Sequence, residues 1–97
     1  MNMDAQRSDI VLSLAGRDRG SYFFVLETDG EYVLLADGRR RRAEHPKRKK
    51  RKHIQVAART DSPAACKLRA GGTVQNSELR RELAEFCQKF QSQNQGG

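Results

Sequence analysis

No apolar run in this 97-residue chain approaches the 18 or so residues that span a bilayer, and no internal repeat is visible. Met1 to Ser8 is polar and lacks the apolar centre of a secretory signal, so a cytoplasmic protein that stays off membranes is the expectation. Cysteine is scarce: Cys66 and Cys87 show no CxxC spacing, and neither has a histidine within ten residues. That excludes a zinc site or a disulfide framework and leaves two reduced thiols. Catalytic signatures are missing too. There is no nucleophile with a base partner, no glycine-rich phosphate loop of Walker type, no HxxxH and no carboxylate pair on one helical face. Glu78, Glu82 and Glu85 share a helix with Arg80, Arg81 and Lys89 and read as surface ion pairs. The length allows one small domain with an attachment and no large substrate cleft. The expectation is a non-enzyme with no cofactor, no metal and no small-molecule substrate, monomeric when free.

Positive charge is abundant, and it is concentrated in one place. The chain carries 19 Lys+Arg against 12 Asp+Glu, a net +7. Residues 39 to 52 hold ten of those cations (Arg39, Arg40, Arg41, Arg42, Lys47, Arg48, Lys49, Lys50, Arg51 and Lys52) and a single anion, Glu44. That window is +9, and the nine cations and eleven anions elsewhere leave −2. So dense a run repels itself, and clustering it gains the fold nothing unless a polyanion neutralises it. A solvated charged stretch or a nuclear-localisation signal has the same composition. Here, however, the run lies between the turn Asp37-Gly38 and a plausible closing strand, His53 to Val56, inside the folded region. Arginine forks and lysine point charges suit phosphate oxygens and need no particular base. His45 and His53 read as surface histidines.

The apolar residues are gathered between residues 10 and 36 and are grouped as strands. Asp9 to Leu14 places Ile10, Leu12 and Leu14 on one face by period two, while Ser21 to Glu27 and Glu31 to Ala36 are aromatic and β-branched. Gly16 to Gly20, Thr28-Asp29-Gly30 and Asp37-Gly38 supply the turns, giving a three-stranded meander with a fourth strand starting at Arg39. The second and third strands are apolar on both faces, so something must cover the outer one. A helix over about residues 77 to 91, with Asn76 or Ser77 as its N-cap, aligns Leu79, Leu83, Phe86 and Phe90 for that purpose. Residues 57 to 75 read as an irregular connection in which Ala64 to Arg69 either forms a helical turn or is mobile. Residues 1 to 7 and 92 to 97 read as flexible ends, and residues 76 to 91 as the packed helix.

The stretch Asp9-Ile10-Val11-Leu12-Ser13-Leu14-Ala15-Gly16-Arg17-Asp18-Arg19-Gly20-Ser21-Tyr22-Phe23-Phe24-Val25 looks like a KOW motif. It is followed by Tyr32-Val33-Leu34-Leu35-Ala36-Asp37-Gly38-Arg39 and by Pro46-Lys47-Arg48-Lys49-Lys50. The pattern, over residues 8 to 56, resembles KOW-domain RNA-binding proteins related to the large-subunit ribosomal proteins of the fourteen-e, six-e and twenty-seven-e types and their small bacterial relatives. The resemblance implies a mainly β fold, an SH3-like five-stranded barrel with a C-terminal α-helix. It also implies binding to RNA, most naturally rRNA, in translation or ribosome assembly, with ribosomal proteins as possible neighbours. Gly16 and Gly20 would shape the first loop, with Arg17 and Arg19 directed at RNA phosphate beside the 39 to 52 segment. Ser8 stands where the motif commonly has glycine, and Arg40 and Arg51 stand where relatives often carry an apolar side chain. Tyr22 and Tyr32 read as core or edge packing rather than as platforms for bases. The rival readings are a protein-interaction adaptor of the transcription or translation machinery and a DNA-binding accessory, since phosphate contacts do not separate RNA from DNA.

Overall fold

The computed structural model describes residues 5–95, with side chains described through residue 89. Five strands and two helices follow one another: β1 (Ile10–Ser13), β2 (Tyr22–Asp29), β3 (Tyr32–Ala36), β4 (Lys47–Lys50), a 3-10 turn (Arg51–His53), β5 (Ile54–Ala58), α1 (Pro63–Arg69) and α2 (Asn76–Gln95). The strands form one antiparallel sheet in the order β4-β3-β2-β1-β5. The two edge strands, β4 and β5, are joined by the three residues of the turn alone. In a flat sheet they would lie about 19 Å apart, four strand spacings. A 3-10 turn rises only about 2 Å per residue, so the sheet has to be strongly curled. Register shifts supply the local bends: β2 carries an extra residue between Val25 and Glu27, and β5 carries one between Val56 and Ala58, opposite Ile10 and Val11.

Curling gives the sheet an inside and an outside, and both are apolar. Phe23 and Phe24, adjacent on β2, point to opposite faces and are both buried. Inside, Phe23 packs with Val11, Val25, Val33, Leu35 and Ile54. Outside, Phe24 packs with Ile10 and Ala36 beneath Leu68 of α1 and Leu79 and Leu83 of α2. The face expected of β1 differs in part. Ile10 is covered by the helices and Leu12 is half-buried, but Leu14 is 39% exposed, and the neighbouring Val11 and Ser13 fill the interior.

Several other expectations change. No strand starts at Arg39: residues 39 to 46 form a loop, and β4 begins at Lys47. Asp37 is the reason. Its Oδ1 accepts the N–H groups of Arg39 and Arg41, both at 2.9 Å, while the Asp37 and Gly38 N–H groups donate to the Arg41 carbonyl. Backbone groups that a strand would offer to its neighbour are consumed inside a turn. The N-terminal stretch is not loose over its described part. Ala5 is 2% exposed within the inner core, its carbonyl accepts from Arg51 at 2.7 Å, and Arg7 pairs with Glu27. Residues 1–4 lie outside the described residues. The connection between β5 and α2 contains α1, with Pro63 in its first turn and the Ser62 hydroxyl accepting the Ala65 N–H.

The helix α2 opens on a reciprocal cap in which Gln75 N–H donates to the Glu78 carboxylate and Glu78 N–H to the Gln75 carbonyl. It runs past residue 91 to Gln95; Gly96, Gly97 and the Phe90 side chain lie outside what is described. Its acids are not a row of surface ion pairs. Glu82 is 7% exposed and accepts the Ala64 N–H at 3.0 Å, and Glu78 pairs with Lys67 of α1 at 2.7 Å.

Ser8 takes a left-handed conformation that suits glycine, with φ at 83° and 1% exposure, and its hydroxyl accepts from Arg69 at 3.1 Å. Ser8→Gly should therefore change stability by less than about 1 kcal/mol, strain relief offsetting the lost hydrogen bond. Ser8→Val, β-branched at positive φ and without the hydroxyl, should cost about 2 kcal/mol. Equal urea midpoints for the two variants would refute this account.

Candidate nucleic-acid interface

Two loops at the same end of the sheet make the site. The first joins β1 to β2 and turns on Gly16 and Gly20, with φ at 84° and 88°. Left-handed conformations at both ends suit glycine and make the loop tight. Backbone bonds close it, from Arg19 N–H to the Gly16 carbonyl and from Gly20 N–H to the Ser13 carbonyl. At its apex Asp18 turns inward. Its carboxylate accepts from Lys49 Nζ at 2.6 Å and from the Ser13 hydroxyl at 2.8 Å, and Lys47 Nζ lies 2.9 Å from its second oxygen. Burial works against the charged form here, but the hydrogen bonds from Lys49, Lys47 and Ser13 outweigh it and hold the carboxyl well below the usual carboxylate range. With Asp18 inward, its neighbours Arg17 and Arg19 are left exposed.

The second loop, residues 37 to 46, presents Arg39, Arg40, Arg41 and Arg42, all exposed. It is fastened to the start of α2. Asn76 Oδ1 accepts the Ala43 N–H at 2.8 Å, Asn76 Nδ2 donates to Glu44 at 2.6 Å, and Arg80 donates to the Gly38 carbonyl at 2.7 Å. The Asn76 hydrogen bond is the main cause that holds the Glu44 carboxyl below its ordinary value. Where the two loops meet, Arg17, Arg40, Arg41 and Lys47 line a hollow of about 220 Å³ around Asp18 and Asp37. Both of those carboxylates already accept hydrogen bonds from within the fold. The cations therefore dominate the surface.

The remaining cations of the basic segment go elsewhere. Lys49 is 7% exposed, its ammonium held by Asp18 and by the Ala15 carbonyl at 2.7 Å, so it is a piece of the interior and not of the surface. Arg51 is a staple: its Nε donates to the Gly30 carbonyl at 2.6 Å and its Nη1 to the Ala5 carbonyl. Arg48 lies 3.7 Å from the centre of the Tyr32 ring, with Lys50 5.9 Å from the same ring. Tyr32 pairs with Lys50 and Leu35 with Lys47, so this stack, with exposed Lys52 beyond it, sits at the opposite end of the β3–β4 hairpin from the arginine loop. Tyr22 meets Phe86 edge-on at 5.2 Å. The twelve cations singled out in the sequence thus divide into a loop cluster (Arg17, Arg19, Arg39 to Arg42 and Lys47), a separate group (Arg48, Lys50 and Lys52), and two internal ties.

Asn76 and Arg80 belong to the site and were not legible as such. Asn76 carried the signal of a helix cap, which masked its role as an anchor for a loop 33 positions earlier. Among the described residues no group of three or more His, Cys, Asp or Glu is placed to hold a metal ion, and no helix is long and apolar enough to cross a membrane. No protein-family model matches the chain, and no curated protein matches its sequence.

Proposed function

We propose that this protein binds structured RNA without catalysis, gripping phosphates between the β1–β2 loop and the arginine loop, as a cytoplasmic ribosome-associated factor in translation or assembly. The observation that carries the reading is the convergence of six exposed arginines, Arg17, Arg19 and Arg39 to Arg42, from two loops tied down by internal bonds. Charges of one sign held close on rigid loops repel one another, and a polyanion relieves that repulsion. Guanidinium groups fit phosphate oxygens in pairs, which suits backbone recognition. The KOW resemblance supports RNA over DNA, and it leads us to read the curled sheet as an SH3-like barrel. Two features favour that closure: the three-residue link between the edge strands, and Lys49 of edge strand β4 reaching the carbonyl just past β1.

If the six arginines each neutralise one phosphate, log K against log salt should have a slope of about −4 to −5.5 on ribosomal RNA fragments. Changing Arg17, Arg40, Arg41 and Arg42 to alanine should flatten that slope by about 3 to 4 while melting stays unchanged, because none of the four anchors the fold. Changing Arg48, Lys50 and Lys52 instead should leave most of the slope. A salt-independent affinity, or a quadruple variant that binds like the parent, would sink the proposal. Duplex DNA that competes as well as RNA would remove the RNA preference and keep only the phosphate grip.

A further inference from the structure

Next to the arginine hollow, and sharing Ser21 and Asp37 with it, a groove of about 430 Å³ runs between the start of β2 and α2. Tyr22, Leu83, Ala84 and Cys87 give it apolar walls, and Arg39 and Arg80 stand over it. Arg80 is fixed there by its bond to the Gly38 carbonyl. The one carboxylate on the groove, Asp37, has an oxygen occupied by two backbone N–H groups. A flat, partly apolar guest joined to negative charge fits these walls.

We infer that the groove receives one unpaired nucleotide of the RNA whose backbone lies in the adjoining arginine hollow. The inference rests on the RNA-binding reading and goes beyond it, since phosphate contacts alone make no distinction between paired and unpaired strands. The volume falls in the range of small-ligand pockets, which comfortably exceeds one nucleobase. Continuity through Ser21 and Asp37 lets a strand pass from hollow to groove, with Arg40 and Arg41 on the hollow side of the passage and Arg39 and Arg80 on the groove side. A base inside an A-form helix is stacked and paired and cannot enter, whereas a bulged or looped base can be splayed out onto aromatic and guanidinium faces. Such stacking is worth roughly five- to a hundredfold in affinity per base.

The test uses the full chain and two hairpin RNAs that differ only by a single-nucleotide bulge. The protein should prefer the bulged hairpin by about tenfold. Ala84→Phe fills the groove from an exposed position on α2 without altering charge. It should abolish the preference while duplex affinity and salt slope stay as they are. A second readout needs no substitution, because the two thiols sit in different places. Cys87 lines the groove and Cys66 is exposed on α1. Burial raises the Cys87 thiol pKa, so maleimide labelling is run at mildly alkaline pH. The bulged RNA should slow labelling of Cys87 and spare Cys66, and the unbulged hairpin should protect neither. Equal binding of the two hairpins, or unprotected Cys87 in the bulged complex, overturns the inference and leaves the phosphate grip standing. Failure to bind either RNA would instead reject the RNA-binding reading, and the groove assignment with it.

Discussion

Lys49→Ala should lower stability by about 3–5 kcal/mol, although Lys49 sits between exposed Arg48 and exposed Lys50. Its ammonium is buried between the Asp18 carboxylate and the Ala15 carbonyl. Removing it leaves Asp18, 12% exposed, without its closest partner. Lys47, at 2.9 Å, offsets part of that loss and favours the lower end of the range. The neighbouring Lys50→Ala, at an exposed position, should stay within about 0.5 kcal/mol of the parent. Urea midpoints decide the matter, and similar costs for the two substitutions would show that the buried pair is not what joins β4 to the β1–β2 loop. The double change Asp18→Asn with Lys49→Met should cost less than the sum of the single changes, because neither partner is then left as an unpaired buried charge.

The same pair dictates an acid dependence. The carboxyl pKa of Asp18 is depressed in the folded state, so unfolding lets it take up a proton more readily. Its contribution is complete above about pH 5 and fades as pH falls through about 4 toward the folded value. Asp18→Asn should therefore be less stable than the parent at pH 7, and the gap should narrow steadily on acidification. A gap that is constant from pH 7 to pH 3 would show that the carboxylate's charge contributes nothing.

Lys49 also shows where reading the chain alone stops. Phe23-Phe24 and Val33-Leu34-Leu35 announce a sheet buried on both faces, because strand alternation is local and every second residue reports on one face. Asp37-Gly38 likewise announces a turn. How the turn continues depends on more distant residues. The arginine loop is held by Asn76, and the fate of Lys49 is decided by Asp18, 31 positions before it. Four neighbours that look alike as letters, Lys47, Arg48, Lys49 and Lys50, alternate between an interior and an exterior that exist only once the sheet has curled. That Arg17 and Arg19 lie beside the segment from Arg39 onward was foreseeable from two turns at the same end of a meander, but Arg39 to Arg42 were expected on a strand and lie in a loop. The fastening of the arginine loop to α2 was not, since Asn76 and Arg80 have ordinary helix roles as well.

That fastening leads to the other large effect. Gly38→Ala should cost about 2–5 kcal/mol, summing a left-handed backbone term of about 1–2 kcal/mol with an overpacking term of about 1–3 kcal/mol. Gly38 has φ at 79°, and a Cβ there would overlap the Asn76 carbonyl oxygen, with the Asn76 carbonyl carbon at 3.0 Å and Arg80 Cγ at 3.2 Å. The obstruction on one side is backbone of the first turn of α2, which can give way only if the helix end moves. Gly20→Ala separates the two causes: φ is 88° there, but nothing lies within 4 Å of the added carbon, so only the backbone term of about 1–2 kcal/mol remains. Relief of the Gly38 clash must push the arginine loop off α2, breaking the Asn76 and Arg80 bonds that set its shape. Gly38→Ala should then weaken RNA binding even at temperatures where the variant is fully folded, while Gly20→Ala, which also lies on the groove, serves as the measured baseline for a glycine change at this surface. If both variants lose the same stability, the close approach of the loop to α2 does not constrain the fold, and the anchoring role given to Asn76 falls with it.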